Sequence, residues 1–336
     1  MRTPLIAGPR RQILHAAAPL LLFTLLALAQ TANAQSVVER VKARGVVNCG
    51  AVARPGLAQT DAQEHWTGVF VDICAALATA VLGSPERMRF HAYATDADFA
   101  SSVGNAADDL HFLTGREIAT HALAGNIIPG PAAYAARIQV MVPQPSSEQH
   151  LPELAGKGIC FLIADPAERS LEAYFDERDF PWQRHAYSEP GEMLDAFAAQ
   201  RCHGIAGEAT WLASASGAGT RAGLHARLLP EALESFPIVA ATPVQDGRWA
   251  AIVAWTLTTL ITAQRKSSRW SSGGVDAMPI AAAQLGLAPG WQQAVVSARG
   301  HYGTIYRRNL APLLGADQVP EGMLAPDAMA SMPFVE

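Results

Sequence analysis

Three consecutive segments within residues 46–94 restrict the fold more than anything else in the chain. VVNCGAV is a β-branched run suited to a buried strand. WTGVFVDICAALATAVLG is a turn followed by apolar residues at helical spacing up to Gly83, and MRFHAYA alternates as a second strand does. A strand, a helix and a strand in that order imply a parallel pair with a crossover, because a tight hairpin joins only antiparallel strands. Ahead of them, VVERVKARG reads as a short amphipathic helix stopped by Gly45.

The pattern restarts mid-chain. IQVMVP is strand-like and closed by Pro143, LPELAGKG is a short helix and turn, and GICFLIA is another buried strand. In DPAERSLEAYFDER, Asp165 suits the N-cap, Pro166 the first helical position, and Glu168 stands three residues after the cap. A helix in EPGEMLDAFAAQR, a strand in HGIAGEA, a return strand in FPIVAATPV and a long apolar-faced helix in RWAAIVAWTLTTLITAQRK follow. SSRWSSGGVDAM reads as a polar surface loop, and the tail beyond Gly315, rich in Pro, Ala and Met, as poorly ordered.

Such a chain exceeds what one hydrophobic core usually supports. The expectation is an α/β protein of two lobes, residues 35–139 and 240–336 forming the first and 140–239 the second. Two crossing segments, near residues 139–143 and 236–243, would join them.

Residues 1–34 read as an export signal: Arg2, Arg10 and Arg11, then an apolar run over residues 16–29, then Ala32-Asn33-Ala34 as a cleavage site. A general secretory signal is expected, although Arg10-Arg11 also fits a twin-arginine signal. The run is too short for a membrane span, which needs about 20 residues, and no cysteine follows the cleavage site to carry a lipid. Removing the three arginines takes the formal net charge from −5 to −8, which argues against nucleic acid as a partner. Cys49, Cys74, Cys160 and Cys202 are even in number and form no CxxC pair, so in an exported chain they suggest disulfides rather than metal ligands. Three connectivities satisfy that count.

VKARGVVNCG, HWTGVFVDICAALATAVLG, LAGKGICFLIA, EAYF, FAAQRCHGIAGEA, DGRWAAIVAWTLTTLI and HYGTIYRRN, in that order, resemble the extracytoplasmic solute-binding proteins of ABC importers. The likeness is to family 3, in its polar or general L-amino-acid branch. All four cysteines fall where that branch places its own, which implies the pairs Cys49 with Cys74 and Cys160 with Cys202. It also implies a type II two-lobe fold with hinge strands, a periplasmic monomer, and a permease and ATPase as partners. An amino acid or related small zwitterion would bind between the lobes.

Several residues take on roles through that resemblance. Arg116, in LTGREI, matches an arginine that grips the ligand α-carboxylate with two parallel hydrogen bonds; its bland alternative is a solvated helix-start arginine. Thr114 stands beside it. The stretch between Phe99 and Arg116 is a few residues shorter than the branch's pattern, and His111 stands where a polar loop would hold the ligand ammonium; a structural histidine is the alternative. Asp165, in Ala164-Asp165-Pro166-Ala167, replaces a Gly-Thr-Thr type turn whose amides would attract the carboxylate, and as a bare helix cap it is also well suited. Glu208 stands where the branch has an ammonium-binding aspartate, and Leu57 where it often has an aromatic. Asp72 reads as a helix-start residue.

Two other functions compete. One is a protein of this fold with a changed or lost ligand, serving as an accessory factor. The other is a periplasmic lyase-type enzyme using Glu208 as a general acid. Against the enzyme, the sequence has no HExxH, P-loop or GxGxxG, no recognisable catalytic triad, and histidines without metal-ligand spacing. No catalytic residue, metal or cofactor is therefore expected.

Overall fold

The first strand-helix-strand unit forms as its periodicity requires. A computed structural model describes residues 36–216, 224–244, 246–267 and 282–315. The signal segment, all but the first residue of SSRWSSGGVDAM, and the tail beyond Gly315 lie outside them. Helix α1 (Val37–Arg44) leads to β1 (Val47–Val52), a small ribbon of β2 (Gln59–Thr60) and β3 (Trp66–Thr67), α2 (Val69–Leu82) and β4 (Met88–Tyr93). Strands β1 and β4 pair in parallel. Every residue of α2 from Val69 to Val81 is buried, as expected of a helix that is apolar on all sides. Gly83 ends it in the left-handed conformation, its NH bonded to the Thr79 carbonyl.

Next come α3 (Asp96–Gly104), β5 (Leu110–Thr114), α4 (Gly115–Leu123), β6 (Ile127–Ile128) and the long β7 (Ala132–Pro143). The second half contains β8 (Gly158–Leu162), α5 (Pro166–Asp176), β9 (Gln183–Tyr187), α6 (Pro190–Ala198), β10 (Gly204–Glu208), α7 (Ala209–Ser216) and β11 (Ala226–Pro243). The chain then closes with α8 (Gly247–Ser267), α9 (Ala282–Leu285), α10 (Trp291–Arg299), α11 (Tyr302–Asn309) and α12 (Ala311–Leu314). No helix among the described residues is long and apolar enough to cross a membrane.

One curled sheet runs through both lobes in the order β4-β1-β5-β11-β7-β10-β8-β9, with β6 paired to β11. Its centre is the antiparallel pair β7 and β11, whose register is interrupted between Leu228 and Ala232. The buried Gln139 amide donates to the Leu229 carbonyl at 2.9 Å, supplying a partner where the ladder is broken. Strand β11 meets β5 through Ile238 to Ala241, and β7 meets β10 through Ile138 to Met141. Each long strand thus belongs to the sheet of both lobes.

Separate cores fill the two halves. In the first, Phe70 and Phe112 stack at 4.3 Å, and Trp249, Ile305 and Tyr306 close the cluster from α8 and α11. In the second, Val140, Phe161, Leu171 and Phe175 pack on one face of the sheet, and Met141, Met193, Phe197 and Ile205 on the other. Cys49 pairs with Cys74, tying β1 to α2, and Cys160 with Cys202, tying β8 to the approach to β10. The loops closed span 25 and 42 positions, so each bond stabilises by about 3 to 4 kcal/mol in the loop-entropy model.

Asp72 holds the C-terminal helices to this frame. Its buried carboxylate accepts from Arg308 Nη2 at 2.5 Å and Asn309 Nδ2 at 2.7 Å, and pairs with Arg299. The sequence predicts a helix-start residue at Asp72. It does lie in the first turn of α2, and its acceptors serve tertiary partners more than two hundred positions away.

Candidate functional site: the cleft between the lobes

Where β1, β5, β8 and β10 end, their following loops and helix N-termini converge, the usual place for a ligand in an α/β sheet. A cleft of about 250 Å³ lies there. Lobe 1 lines it with Val52, Ala53, Arg54 and Pro55, and lobe 2 with Leu162, Asp165, Pro190, Gly207, Glu208 and Trp211. A smaller recess of about 10 Å³ continues into lobe 1 beside Arg54, Thr114 and Glu117, enough for roughly one water.

Arg54 is positioned by a tight turn. Its NH donates to the Ala58 carbonyl, and its own carbonyl accepts from Leu57 and Ala58. Gly56 stands there at φ +70, and a Cβ on it would meet Leu310 at 2.6 Å, so both conformation and space call for glycine.

Thr114 caps α4. The Glu117 carboxylate accepts the Thr114 backbone NH at 2.6 Å and its hydroxyl at 2.7 Å, a capping arrangement that commits both side chains. Arg116, between them, is exposed. It lines neither the cleft nor the recess, and its charge acts with that of Arg54 to lower the pKa of the Asp165 carboxyl.

The second lobe answers with carboxylates. Asp165 Oδ1 accepts the Ala167 NH at 2.8 Å, and Glu168 Oε2 accepts the Ala164 NH at 2.9 Å. Ala164 holds φ +60, a left-handed conformation in which glycine would be strain-free. Burial pushes the Asp165 carboxyl above its ordinary range, against the pull of the Ala167 NH, Arg54 and Arg116. Glu208 is anchored by one oxygen only. Its Oε2 accepts from the Thr210 NH, the Thr210 hydroxyl and the Trp211 NH, whereas Oε1 is buried with no hydrogen-bond partner among the described residues. Tyr134 lies behind it, almost fully buried, its hydroxyl also unpartnered and its pKa raised first by burial and then by the Glu208 charge.

The structure therefore places Asp165 and Glu208 on the cleft and Thr114 on the recess, leaves Arg116 exposed and lining neither, and sets His111 and Leu57 apart. Phe112 and Thr114 border the recess, so strand alternation turns His111 to the other face. There it is 1 % exposed, 5.8 Å from the Phe99 ring, with Nε2 3.7 Å from Asp108 Oδ2. Burial drives its pKa down to about 4. Asp108 also accepts from Tyr93 at 2.8 Å and pairs with His91 at 2.5 Å, in space left by Gly50, where a Cβ would lie 2.3 Å from the Asp108 carboxylate. Leu57 is fully buried in the lobe 1 core, and its carbonyl accepts from Phe70.

Arg54 and Trp211 were not singled out from the sequence. The available signal was position: Arg54-Pro55-Gly56 follows the carboxyl end of β1, and Trp211 opens the helix after β10, both on the side where α/β sheets bind ligands.

No family model matches the chain. It is 26 % identical over 303 residues to the general L-amino acid-binding periplasmic protein AapJ of Rhizobium johnstonii, across 85 % of this chain and 88 % of that protein. It is 27 % identical over 249 residues to the glutamate/glutamine/aspartate/asparagine-binding protein BztA of Rhodobacter capsulatus, across 71 % of each. An ABC transporter periplasmic binding protein from Brucella ovis, solved with glutathione bound, superposes with a TM-score of 0.66 at 20 % identity, over 82 % of this chain and 91 % of that one. The resemblance read from the sequence motifs holds: the chain has the type II two-lobe fold of periplasmic binding proteins, and its curated relatives are amino-acid-binding proteins of that kind.

Proposed function

We propose that this protein is the periplasmic ligand-binding component of an ABC importer and takes an amino acid or related small zwitterion between its lobes. The observation that carries the reading is a separated pair of opposite charges in one cleft: Arg54 from lobe 1, and Glu208 from lobe 2 with an unpartnered buried oxygen. A guanidinium suits a carboxylate through two parallel bonds, and a buried carboxylate oxygen is costly until a cation meets it. Binding rather than turnover fits the relatives, which are named as binding proteins.

Closure would be absorbed where β7 and β11 pass between lobes, near residues 136–139 and 234–238, and the closed form would be presented to a permease and its ATPase by a monomer. A second reading, the same scaffold with a changed ligand, is favoured by the start of α5, where Asp165 and Glu168 occupy amides that would otherwise face a ligand carboxylate.

A thermal-shift screen of the mature chain against the common L-amino acids, followed by calorimetry, tests the first reading. Stabilisation reaches about 2.7 kcal/mol at a hundredfold excess over Kd. A shift for at least one amino acid, lost in Arg54→Ala, supports it. Silence across the panel sinks it.

A further inference from the structure

We propose that the cleft selects an amino acid whose side chain is itself cationic, and that Asp165 sets this preference. The inference rests on the reading of the cleft as an amino-acid site and names the class of ligand within it.

The start of α5 carries the argument. A helix N-terminus attracts a carboxylate when its amides are free. Here the Ala167 NH is given to Asp165, the Ala164 NH to Glu168 and the Glu168 NH to the Asp165 carbonyl, while Pro166 has no NH. The lobe 2 half of a carboxylate clamp is therefore closed from within, and a negative charge stands in its place. Arg54 is then left to hold the ligand carboxylate from lobe 1 alone.

The charges decide the rest. Among the residues lining the cleft, the ionisable ones are Arg54, Asp165 and Glu208, one cation against two anions. Arg116 is exposed and is not among the lining residues, so solvent screens its charge. Arg137, whose charge is felt at Tyr134, is not among the lining residues. A ligand with one carboxylate and two cationic groups complements that arrangement, its carboxylate on Arg54 and one cation at each of Glu208 and Asp165. A neutral amino acid leaves Asp165 without a ligand partner, and an acidic one adds an anion to a cleft already negative. Trp211, Pro55 and Leu162 offer apolar surface for an alkyl stem, and the indole can also face a cation.

Calorimetry on the mature chain compares L-arginine, L-lysine, L-glutamine, L-glutamate and putrescine. L-arginine or L-lysine is expected to bind about tenfold or more tighter than L-glutamine, with L-glutamate weakest. Asp165→Asn keeps a good N-cap and removes the charge, so it should narrow the preference about tenfold and favour L-glutamate most. A thermal melt of the variant confirms that it is folded. Tighter binding of L-glutamine or L-glutamate than of either basic amino acid overturns the inference and leaves the amino-acid reading standing. An unchanged preference in Asp165→Asn overturns the role of Asp165. Putrescine binding as tightly as L-lysine overturns the assignment of a ligand carboxylate to Arg54. Failure of every amino acid to bind removes the underlying reading as well.

Discussion

At the start of α4, the Glu117 carboxylate takes the NH and hydroxyl of Thr114; at the start of α5, Glu168 takes the Ala164 NH and Asp165 the Ala167 NH. Both helices follow a strand of the same sheet, yet at α4 the capping leaves Arg116 exposed outside the cleft, whereas at α5 the capping Asp165 itself lines it. The same capping chemistry therefore leaves opposite charges at the two helix starts.

Behind these cleft-facing groups stands a frame whose ionisable residues serve stability, and mutations should divide along that line. The largest effect is expected from Asp72→Ala, which strands Arg299 and Arg308 and should cost about 3 to 5 kcal/mol in urea unfolding. Ligand affinity at temperatures where the variant is folded should be unchanged; a loss there would erase the distinction between frame and cleft.

His111 tests the same division along one strand, since it shares β5 with Thr114 but faces the other way. Its folded pKa is depressed to about 4 from 6.5. The unfolded chain therefore binds the proton first, and stability present above pH 6.5 is lost as pH falls towards 4. The loss should be about 3 kcal/mol. A melting-temperature profile against pH should flatten in His111→Leu, and an unchanged acid limb would assign the effect to other groups.

On the cleft side, Arg54→Ala should weaken binding of a carboxylate ligand by about 2 kcal/mol and the exposed Arg116→Ala by less than about 1 kcal/mol, read by calorimetry, with little change in melting temperature. Equal losses would make the two arginines one clamp. A loss confined to Arg54 would reduce Arg116 to a neighbour of Asp165. The smallest effects belong to the caps: Thr114→Val and Asp165→Ala should each cost about 1 kcal/mol of stability. A much larger loss in one of them would show that the two helix starts are less alike than their hydrogen bonds.

Much of the frame was legible because its signals are local. Gly83, Asp165 and Pro166 mark helix ends, and α2 and β4 follow from periodicity within about fifteen residues. The short α3, α4 and α7 were less visible, since polar and small residues dilute their apolar faces. Of the residues lining the cleft, Asp165 and Glu208 were named through motif positions, whereas Arg54 and Trp211 became visible only once β1 and β10 had been placed in one sheet.

The sequence by itself determined the two α/β halves, the crossing strands and the likeness to amino-acid-binding relatives, because each is written in spacing and order along the chain. Tertiary structure alone decided which charges share a neighbourhood: Arg54, Asp165 and Glu208 around one cleft, Asp72 with the last helices, and His111 buried on the far face of a strand whose other side reaches the recess. Electrostatic partnership depends on distance and burial in three dimensions, and neither is encoded in the separation of two residues along the backbone.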